Sequence, residues 1–233
     1  MKLSHAAQDG KDVRALVPGI RIERELAQGE THSYSITLTR GQYARLVIEQ
    51  RGVNVGVKLF APGDRLLTEV NNWNVGLAEA ISLVAEVSGE YRVEVRPIEK
   101  DAASGRYELE IEEPREASPQ DRSQVAAERA FAEGQLLRWQ GTAESRRRAI
   151  QKYEESLPLW RAASDIRGEA EALSNISEVS HELSENRTAL ERAEQALLLW
   201  RAAGDRSGEA GTLNRIGLAR WALNEYQKAL EDF

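Results

Sequence analysis

The sequence contains no cysteine among its 233 residues and only three histidines, His5, His32 and His181. Without thiols the chain can form neither disulfides nor thiolate-ligated zinc and iron–sulfur centres, and it has no cysteine nucleophile. So few histidines leave little material for a histidine-based metal or acid–base site. We therefore predict no catalytic residues, no metal and no cofactor, and we expect a binding function.

Positive charge and long apolar runs are also scarce. The chain carries 31 basic and 38 acidic residues, a net charge of −7, and the only basic run, Arg146 to Arg148, lies in a helix-like segment, so we predict no nucleic-acid partner. No stretch approaches the roughly 18 apolar residues of a membrane span, and residues 1–10 lack the apolar core of a signal peptide. We predict a soluble chain and leave its compartment open.

The catalytic motifs with a known mechanism are missing as well. There is no G-x-S-x-G elbow, no phosphate-binding G-x-x-x-x-G-K loop and no H-E-x-x-H pair. With 38 acidic residues, a carboxylate pair of the glycosidase type is the enzymatic alternative that the composition leaves open. A cryptic hydrolase is therefore kept as a minor alternative.

The first half of the chain alternates apolar and polar residues, which is typical of strands with one buried face. Turn signals such as Pro62-Gly63-Asp64 separate the strands. The predicted strands cover 20–26, 34–39, 42–50, 53–60, 65–70, 80–87, 91–96 and 107–112. This spacing predicts an antiparallel β-sandwich, jelly-roll-like, over residues 16–113, preceded by a tail over 1–15.

Two of these strands have similar sequences. The segment from Ser88 to Val95 recurs sixteen residues later, from Ser104 to Ile111, with Tyr91 and Tyr107 at the same place in each copy. Because each tyrosine falls on the apolar face of its strand, we interpret both as core residues. The alternative is a pair of aromatic ligand platforms.

The chain changes character after residue 113. Residues 114–121 contain two prolines and are polar, so we predict an interdomain linker there. Helix-forming residues dominate 122–233, and a forty-residue repeat is best seen between Leu157–Ala170 and Leu197–Ala210. The repeat predicts stacked helix–turn–helix units, about two and a half of them, with Trp160 and Trp200 in the core between units.

The repeat resembles the tetratricopeptide family, on Ile216-Gly217 followed by Trp221, Tyr226, Ala229-Leu230 and Phe233. The unit has forty residues where that family usually has thirty-four, and HEAT and armadillo repeats share the longer period. The first half, through Leu16 to Gly19, Gly41 to Tyr43 and Leu59 to Gly63, resembles the pre-peptidase C-terminal-like β-sandwich. The combination resembles the N-terminal part of bacterial CHAT-domain (caspase-like) proteins.

The resemblance implies a non-enzymatic scaffold that binds a peptide or protein segment in a groove lined by the first helix of each unit. A caspase-like peptidase needs Cys and His, so its catalytic domain would lie outside this chain. Trp221 also fits a second interpretation, in which it packs against a further repeat. Carried over position by position, the groove candidates are Asn214, Leu218, Trp221, Ser174, Glu178, His181 and Arg138.

The alternative function is a carbohydrate- or envelope-binding module that acts through the sandwich. Its candidate contact is Trp73, in the polar segment Asn71 to Asn74, although a tryptophan there also fits a cover over one end of the sandwich. A separate expectation concerns Phe233, which falls midway through the second helix of the third unit. Because solenoids usually end in a polar cap, we expect the open end to pack on another chain or on missing repeats.

Overall fold

The computed structural model describes residues 13–71, 78–98 and 104–232, and it divides the chain into two compact units. The first unit is Met1–Glu116 and the second is Ala117–Phe233, so the division falls within the predicted linker, 114–121. The first unit contains strands and the second contains helices. The predicted order of a β domain followed by an α-helical domain is confirmed.

All eight predicted strands are present, and two short ones are added. The strands are β1 (Val13–Ala15), β2 (Ile22–Leu26), β3 (His32–Leu38), β4 (Gln42–Arg51), β5 (Val55–Ala61), β6 (Arg65–Asn71), β7 (Ala78–Val84), β8 (Gly89–Pro97), β9 (Gly105–Ile111) and β10 (Arg115–Glu116). The additions, β1 and β10, lie in the segments predicted as tail and linker. Both are exposed and too short to show an alternating pattern, so hydrophobic periodicity could not reveal them.

The strands form two sheets that share one core. One sheet has the order β1-β3-β8-β5-β6. In the other sheet β2 pairs with β9 and β9 pairs with β4, while β10 and β7 also pair with β4. Among the described strands every pairing is antiparallel except that of β1 with β3, which is parallel, so the expectation of a purely antiparallel fold is corrected at one edge. Apolar side chains from both sheets, such as Leu59 of β5 and Leu109 of β9, lie in a single buried cluster. The first unit is therefore a β-sandwich.

Six helices make up the second unit within the described residues. They are α1 (Pro119–Trp139), α2 (Ala143–Ala163), α3 (Ile166–Glu182), α4 (Asn186–Ala202), α5 (Arg206–Ala222) and α6 (Tyr226–Asp232). The first helix begins three residues before the predicted start at 122. Ser118 and Asp121 cause this early start, because each side chain accepts a hydrogen bond from the other residue's backbone N–H in a capping box.

The sequence repeat corresponds to a joint between consecutive units, which is a helix cap and a tryptophan–glycine contact that both occur twice. Asp165 and Asp205 each cap the following helix by accepting a hydrogen bond, 2.9 Å long, from the backbone N–H three residues later. That third residue is glycine in both copies, because a Cβ at Gly168 or Gly208 would lie 2.6 or 2.4 Å from the ring of Trp160 or Trp200. The tryptophans therefore pack on the next unit, and their predicted place in the core between units is confirmed.

The helices of the second unit form two rows. Arg138 of α1 and Arg215 of α5 both pair with Glu178 of α3, which joins the odd-numbered helices. Arg192 of α4 pairs with Glu154 of α2 at 3.0 Å, which joins two even-numbered helices. No helix in the described part of the chain combines the length and apolar character that a membrane crossing requires.

Candidate partner-binding surface

A line of ion pairs crosses three helices and defines the α1–α3–α5 face, which comprises Arg138, Glu171, Asn175, Glu178, Glu182, Arg215 and Leu218. Arg138 Nη2 donates to Glu178 Oε1 at 2.6 Å, and Arg215 Nη2 donates to Glu178 Oε2 at 3.2 Å. Each carboxylate oxygen of Glu178 thus accepts from a different helix. Two of the predicted groove residues, Arg138 and Glu178, are brought together in this way.

A second carboxylate reinforces the contact between α1 and α3. Glu182 accepts from Arg138 Nη2 at 2.6 Å and from Arg146 Nε at 2.8 Å, and Asn175 Oδ1 accepts weakly from Arg138 Nη1 at 3.4 Å. Burial lowers the pKa of the Arg138 guanidinium, but the hydrogen bonds to Glu178 and Glu182 outweigh it and raise that pKa above its usual value. Arg138 is therefore held charged and in place.

The pKa of Glu178 is shifted downward, whereas that of Arg138 is shifted upward. Burial raises the pKa of its carboxyl, but Arg138, and then Arg215, outweigh burial and hold that pKa below its usual value. Because the Glu178 side chain is half-buried, these charge-assisted hydrogen bonds contribute more than a fully exposed surface pair, which is typically worth about 0–1 kcal/mol.

Glu171 is the exception on this face. It precedes Asn175 by one turn and Glu178 by two, so it lies on the same side of α3. Among the described residues its carboxylate makes no hydrogen bond and no ion pair, although the side chain is accessible to solvent. Desolvation by the surrounding helices raises the pKa of Glu171, Asp165 adds to the rise, and Arg215 opposes it. Glu171 is therefore an exposed carboxylate that makes no direct contact with a cation among the described residues, although Arg215 acts on it electrostatically.

The three candidates on α5 are all exposed. Leu218 follows Arg215 by three residues and is 38% exposed, and Trp221 is 58% exposed. Asn214 is also exposed. The Trp221 side chain therefore lies mostly in solvent. Leu218 provides exposed apolar contact area on this face, and Trp221 provides more on the same helix, one turn later.

Two candidates on α3 do not belong to this face. Ser174 is buried, and its Oγ accepts a hydrogen bond from Trp200 Nε1 at 3.1 Å, so it is a packing residue rather than a groove residue. His181 is exposed, but its Nδ1 lies 2.8 Å from Asn186 Oδ1, across the turn between α3 and α4. The helical stripe that reaches α1 and α5 runs instead through Glu171, Asn175 and Glu178, which the sequence alignment of repeats did not single out beyond Glu178.

Two buried polar atoms of α2 have no hydrogen-bond partner among the described residues. Tyr153 is fully buried, and its ring lies against Gly134, where an added Cβ would be 2.6 Å away. Neither the Tyr153 hydroxyl nor Trp160 Nε1 has a hydrogen-bond partner among the described residues. Desolvation raises the pKa of the Tyr153 hydroxyl above its usual value, and Arg138 opposes that rise.

The β-sandwich also carries ion pairs between its strands, such as those of Arg21 and Arg51 with Glu108. Trp73, the candidate contact for a carbohydrate, lies outside the described residues. Tyr91 and Tyr107 are both buried, so their interpretation as core residues is confirmed. Tyr107 OH is 2.7 Å from His32 Nδ1 and bonds Tyr34 OH, which forms a polar chain in the core. Desolvation, then Tyr34, raises the pKa of Tyr107 far above its usual value, so its hydroxyl stays protonated.

Comparisons with known proteins leave the family unassigned. No family model matches the chain, and no curated protein matches it. Among solved structures, the periplasmic g-type lysozyme inhibitor PliG of Aeromonas hydrophila is 16% identical and covers 44% of this chain and 97% of its own, with a TM-score of 0.36. The pre-peptidase C-terminal domain of Bacillus anthracis collagenase is 13% identical and covers 44% and 96%, with a TM-score of 0.36.

Both TM-scores lie below 0.5, so neither similarity carries an argument about function. The sandwich assignment rests on the strand pairing and the shared core of the first unit. Within the described residues, no group of three or more histidine, aspartate or glutamate side chains could hold a metal ion. The candidate surface of the described structure is the α1–α3–α5 face, on the ion pairs that join its three helices.

Proposed function

We propose that this chain is a non-enzymatic scaffold that binds a peptide or protein segment on the α1–α3–α5 face. In this proposal the second unit is a solenoid of the tetratricopeptide type, and the face is its groove. The observation that carries it is the line from Arg138 through Glu178 to Arg215, which holds three helices in register. An ordered polar surface flanked by exposed Leu218 and Trp221 combines orientation with apolar contact.

The paired charges support a preorganised surface. Arg138 and Glu178 are held by contacts that span separate helices, so little side-chain entropy is left to lose when a segment binds. The repeated joint between units also fixes the helices relative to each other, through Asp165 and Asp205. A rigid face with exposed apolar groups at one end suits an extended or helical segment.

Selection from a displayed library of random peptides tests this proposal. Peptides that bind the whole chain are then measured against Leu218→Asp and against Leu198→Asp. Leu218 lies on the proposed face, whereas Leu198 is on α4 and is 67% exposed, so both substitutions add a charge at an accessible position. We expect Leu218→Asp to weaken binding at least tenfold, because it buries an unpaired charge, and Leu198→Asp to leave binding unchanged.

Two results would refute the proposal. One is a selection that yields no binding peptide. The other is a set of peptides that bind both variants as well as the unmodified chain, since these would contact another surface. Circular dichroism of each variant confirms that the helices are intact before binding is compared.

The relation to CHAT-domain proteins also remains at the level of a proposal. It is supported by the order of the two halves, a β-sandwich followed by a helical unit with a forty-residue repeat. The scaffold proposal does not depend on it, since the face lies entirely within the second unit.

A further inference from the structure

The first helix of the second unit exposes apolar positions that the later units bury. Leu136 of α1 is 43% exposed, whereas Ile176 and Ile216, which lie forty and eighty residues later, are buried. Trp139 is 54% exposed, whereas the equivalent residue of α3, Val179, is buried. Because Leu136 and Trp139 are three residues apart, they share one side of the helix, and we call this pair the α1 stripe.

The chain itself shows what covers these positions in the later units. Ile176 of α3 lies in one buried cluster with Leu157 of α2. Ile216 of α5 lies in another with Leu197 of α4. In both cases the second helix of one unit packs against the first helix of the next. The same interface between consecutive units therefore occurs twice.

The two covering helices share an apolar pattern. Each presents two large aliphatic residues seven positions apart, which are Ile150 and Leu157 on α2 and Leu190 and Leu197 on α4. Seven residues are two helical turns, so both members of each pair lie on the same side of their helix. The chemistry that covers these positions inside the chain is thus an amphipathic helix with aliphatic residues two turns apart.

The α1 stripe differs from its two counterparts in what stands before it and in its size. No helix precedes α1 in the part of the chain that the structure describes. The indole of Trp139 is also larger than the side chain of Val179, so a helix that covers it needs a small residue at that point. Gly168, which lies against the Trp160 indole, provides an example of this pairing within the chain.

From the continuity of this interface we infer that the α1 stripe is a second interaction surface, which binds an amphipathic α-helix of a partner protein. The bound helix carries leucine or isoleucine at two positions seven residues apart and alanine or glycine beside Trp139. It lies on α1 as α4 lies on α5, with its apolar side against Leu136. The stripe shares no residue with the α1–α3–α5 face, so the inference does not rest on the proposed function.

A stapled peptide with the sequence of residues 185–204, which contain α4, is the probe. A hydrocarbon staple joins positions 191 and 198, which are both exposed on α4, and keeps the peptide helical. Fluorescence anisotropy of the labelled peptide measures its binding to the whole chain. The control peptide carries Leu190→Asp and Leu197→Asp. We expect it to bind at least tenfold more weakly, because two charges replace its apolar pair.

Substitutions in the chain locate the contact. Leu136→Asp should weaken the unmodified peptide at least tenfold, because the bound helix would bury an unpaired charge. Trp139→Ala should also weaken it about tenfold, since it removes the largest apolar group of the stripe. Leu218→Asp lies on the α1–α3–α5 face and should change the affinity less than twofold. Circular dichroism confirms that each variant keeps its helices.

The outcomes separate this inference from the proposed function and from self-association. A peptide that does not bind, or that binds Leu136→Asp and Trp139→Ala as well as the unmodified chain, overturns the inference and leaves the scaffold proposal standing. Light scattering tests a second copy of the chain as the occupant. We expect Leu136→Asp to leave the mass in solution unchanged. A mass that falls with this substitution would assign the stripe to a second copy and would overturn the partner helix.

Discussion

The first helical repeat, α1 and α2, and the second, α3 and α4, differ in how the space between their two helices is filled. In the first repeat, Tyr153 occupies the space beside Gly134, and Trp160 Nε1 has no described partner. The equivalent positions of the second repeat, forty residues later, hold Ala193 and Ser174, and Trp200 Nε1 donates to Ser174 Oγ. A large side chain opposite glycine is thus exchanged for a small one opposite serine, and the exchange decides whether the tryptophan is satisfied.

This comparison shows that the two repeats differ at this place in both packing volume and hydrogen bonding. The first repeat keeps the aromatic ring of Tyr153 and leaves two polar atoms unpaired. The second repeat gives up that ring and gains a hydrogen bond. The four predictions that follow test the comparison, from the largest expected effect to the smallest.

Tyr153→Ala should cost about 3–5 kcal/mol of helical stability, because it removes a fully buried aromatic ring and leaves a cavity. Urea unfolding monitored by circular dichroism at 222 nm measures it. Adding Gly134→Ser copies the second repeat's pair of side chains into the first. We expect the double variant to be at least as stable as Tyr153→Ala alone. Purely additive losses would show that the two positions do not share one space.

Gly134→Ala alone should destabilise the helical unit by about 1–3 kcal/mol, despite the better helix propensity of alanine, because the new Cβ would lie 2.6 Å from the Tyr153 ring. Gly211→Ala is the matched control, since its Cβ would meet only the end of Arg215 at 3.3 Å, and it should stabilise by up to about 1 kcal/mol. The two urea midpoints should therefore move in opposite directions. A shift of both to higher urea would argue against close packing at Gly134.

Ser174→Ala should cost about 1–2 kcal/mol, because it leaves Trp200 Nε1 without its acceptor in a partly buried site. Ser207→Ala, an exposed serine on α5, serves as the control and should change stability by less than about 0.5 kcal/mol. Thermal melting compares the two variants. Equal melting temperatures would mean that the indole N–H gains nothing from the second repeat's serine.

Glu178→Gln should have the smallest effect, and the effect should depend on pH. The arginines hold the pKa of Glu178 below the value it has in the unfolded chain, so its charged form stabilises the folded state above that unfolded value. This contribution is lost as the pH falls through the lowered pKa. The melting temperature of the variant should lie below that of the unmodified chain at pH 7 and approach it near pH 2. A constant difference at both pH values would contradict this electrostatic role.

The sequence allowed the two halves and most of their elements to be predicted, because periodicity and turn residues carry that information locally. Period-two alternation located eight strands, whereas β1 and β10 consist of three and two exposed residues without a pattern. The spacing of Trp160 and Trp200 from the following glycines marked the joint between units, since only glycine fits against each indole. A contact of this kind can be predicted from the sequence, because it requires glycine at a fixed distance from the tryptophan.

The candidate surface was predicted less completely, because it depends on the rotation of a helix about its axis. Alignment of repeats predicted Ser174 and His181 as groove residues. In the structure Ser174 accepts a hydrogen bond from Trp200 instead, and Glu171 lies on the same side of α3 as Glu178. Residues three and four apart share a helix face, so a small error in phase exchanges buried positions for exposed ones. The charge pairing of Glu178 with residues 40 earlier and 37 later was the signal that would have fixed the phase.

Photo-crosslinking with benzoylphenylalanine most directly tests whether the α1–α3–α5 face binds a partner. The photoreactive residue is placed at position 218 in one protein and at position 198 in another, and each is irradiated with a labelled peptide from the library. We expect the peptide to be crosslinked at position 218 and not at position 198, since Leu198 lies on α4, away from the face. Crosslinking at position 198 alone, or equally at both, would contradict recognition by this face.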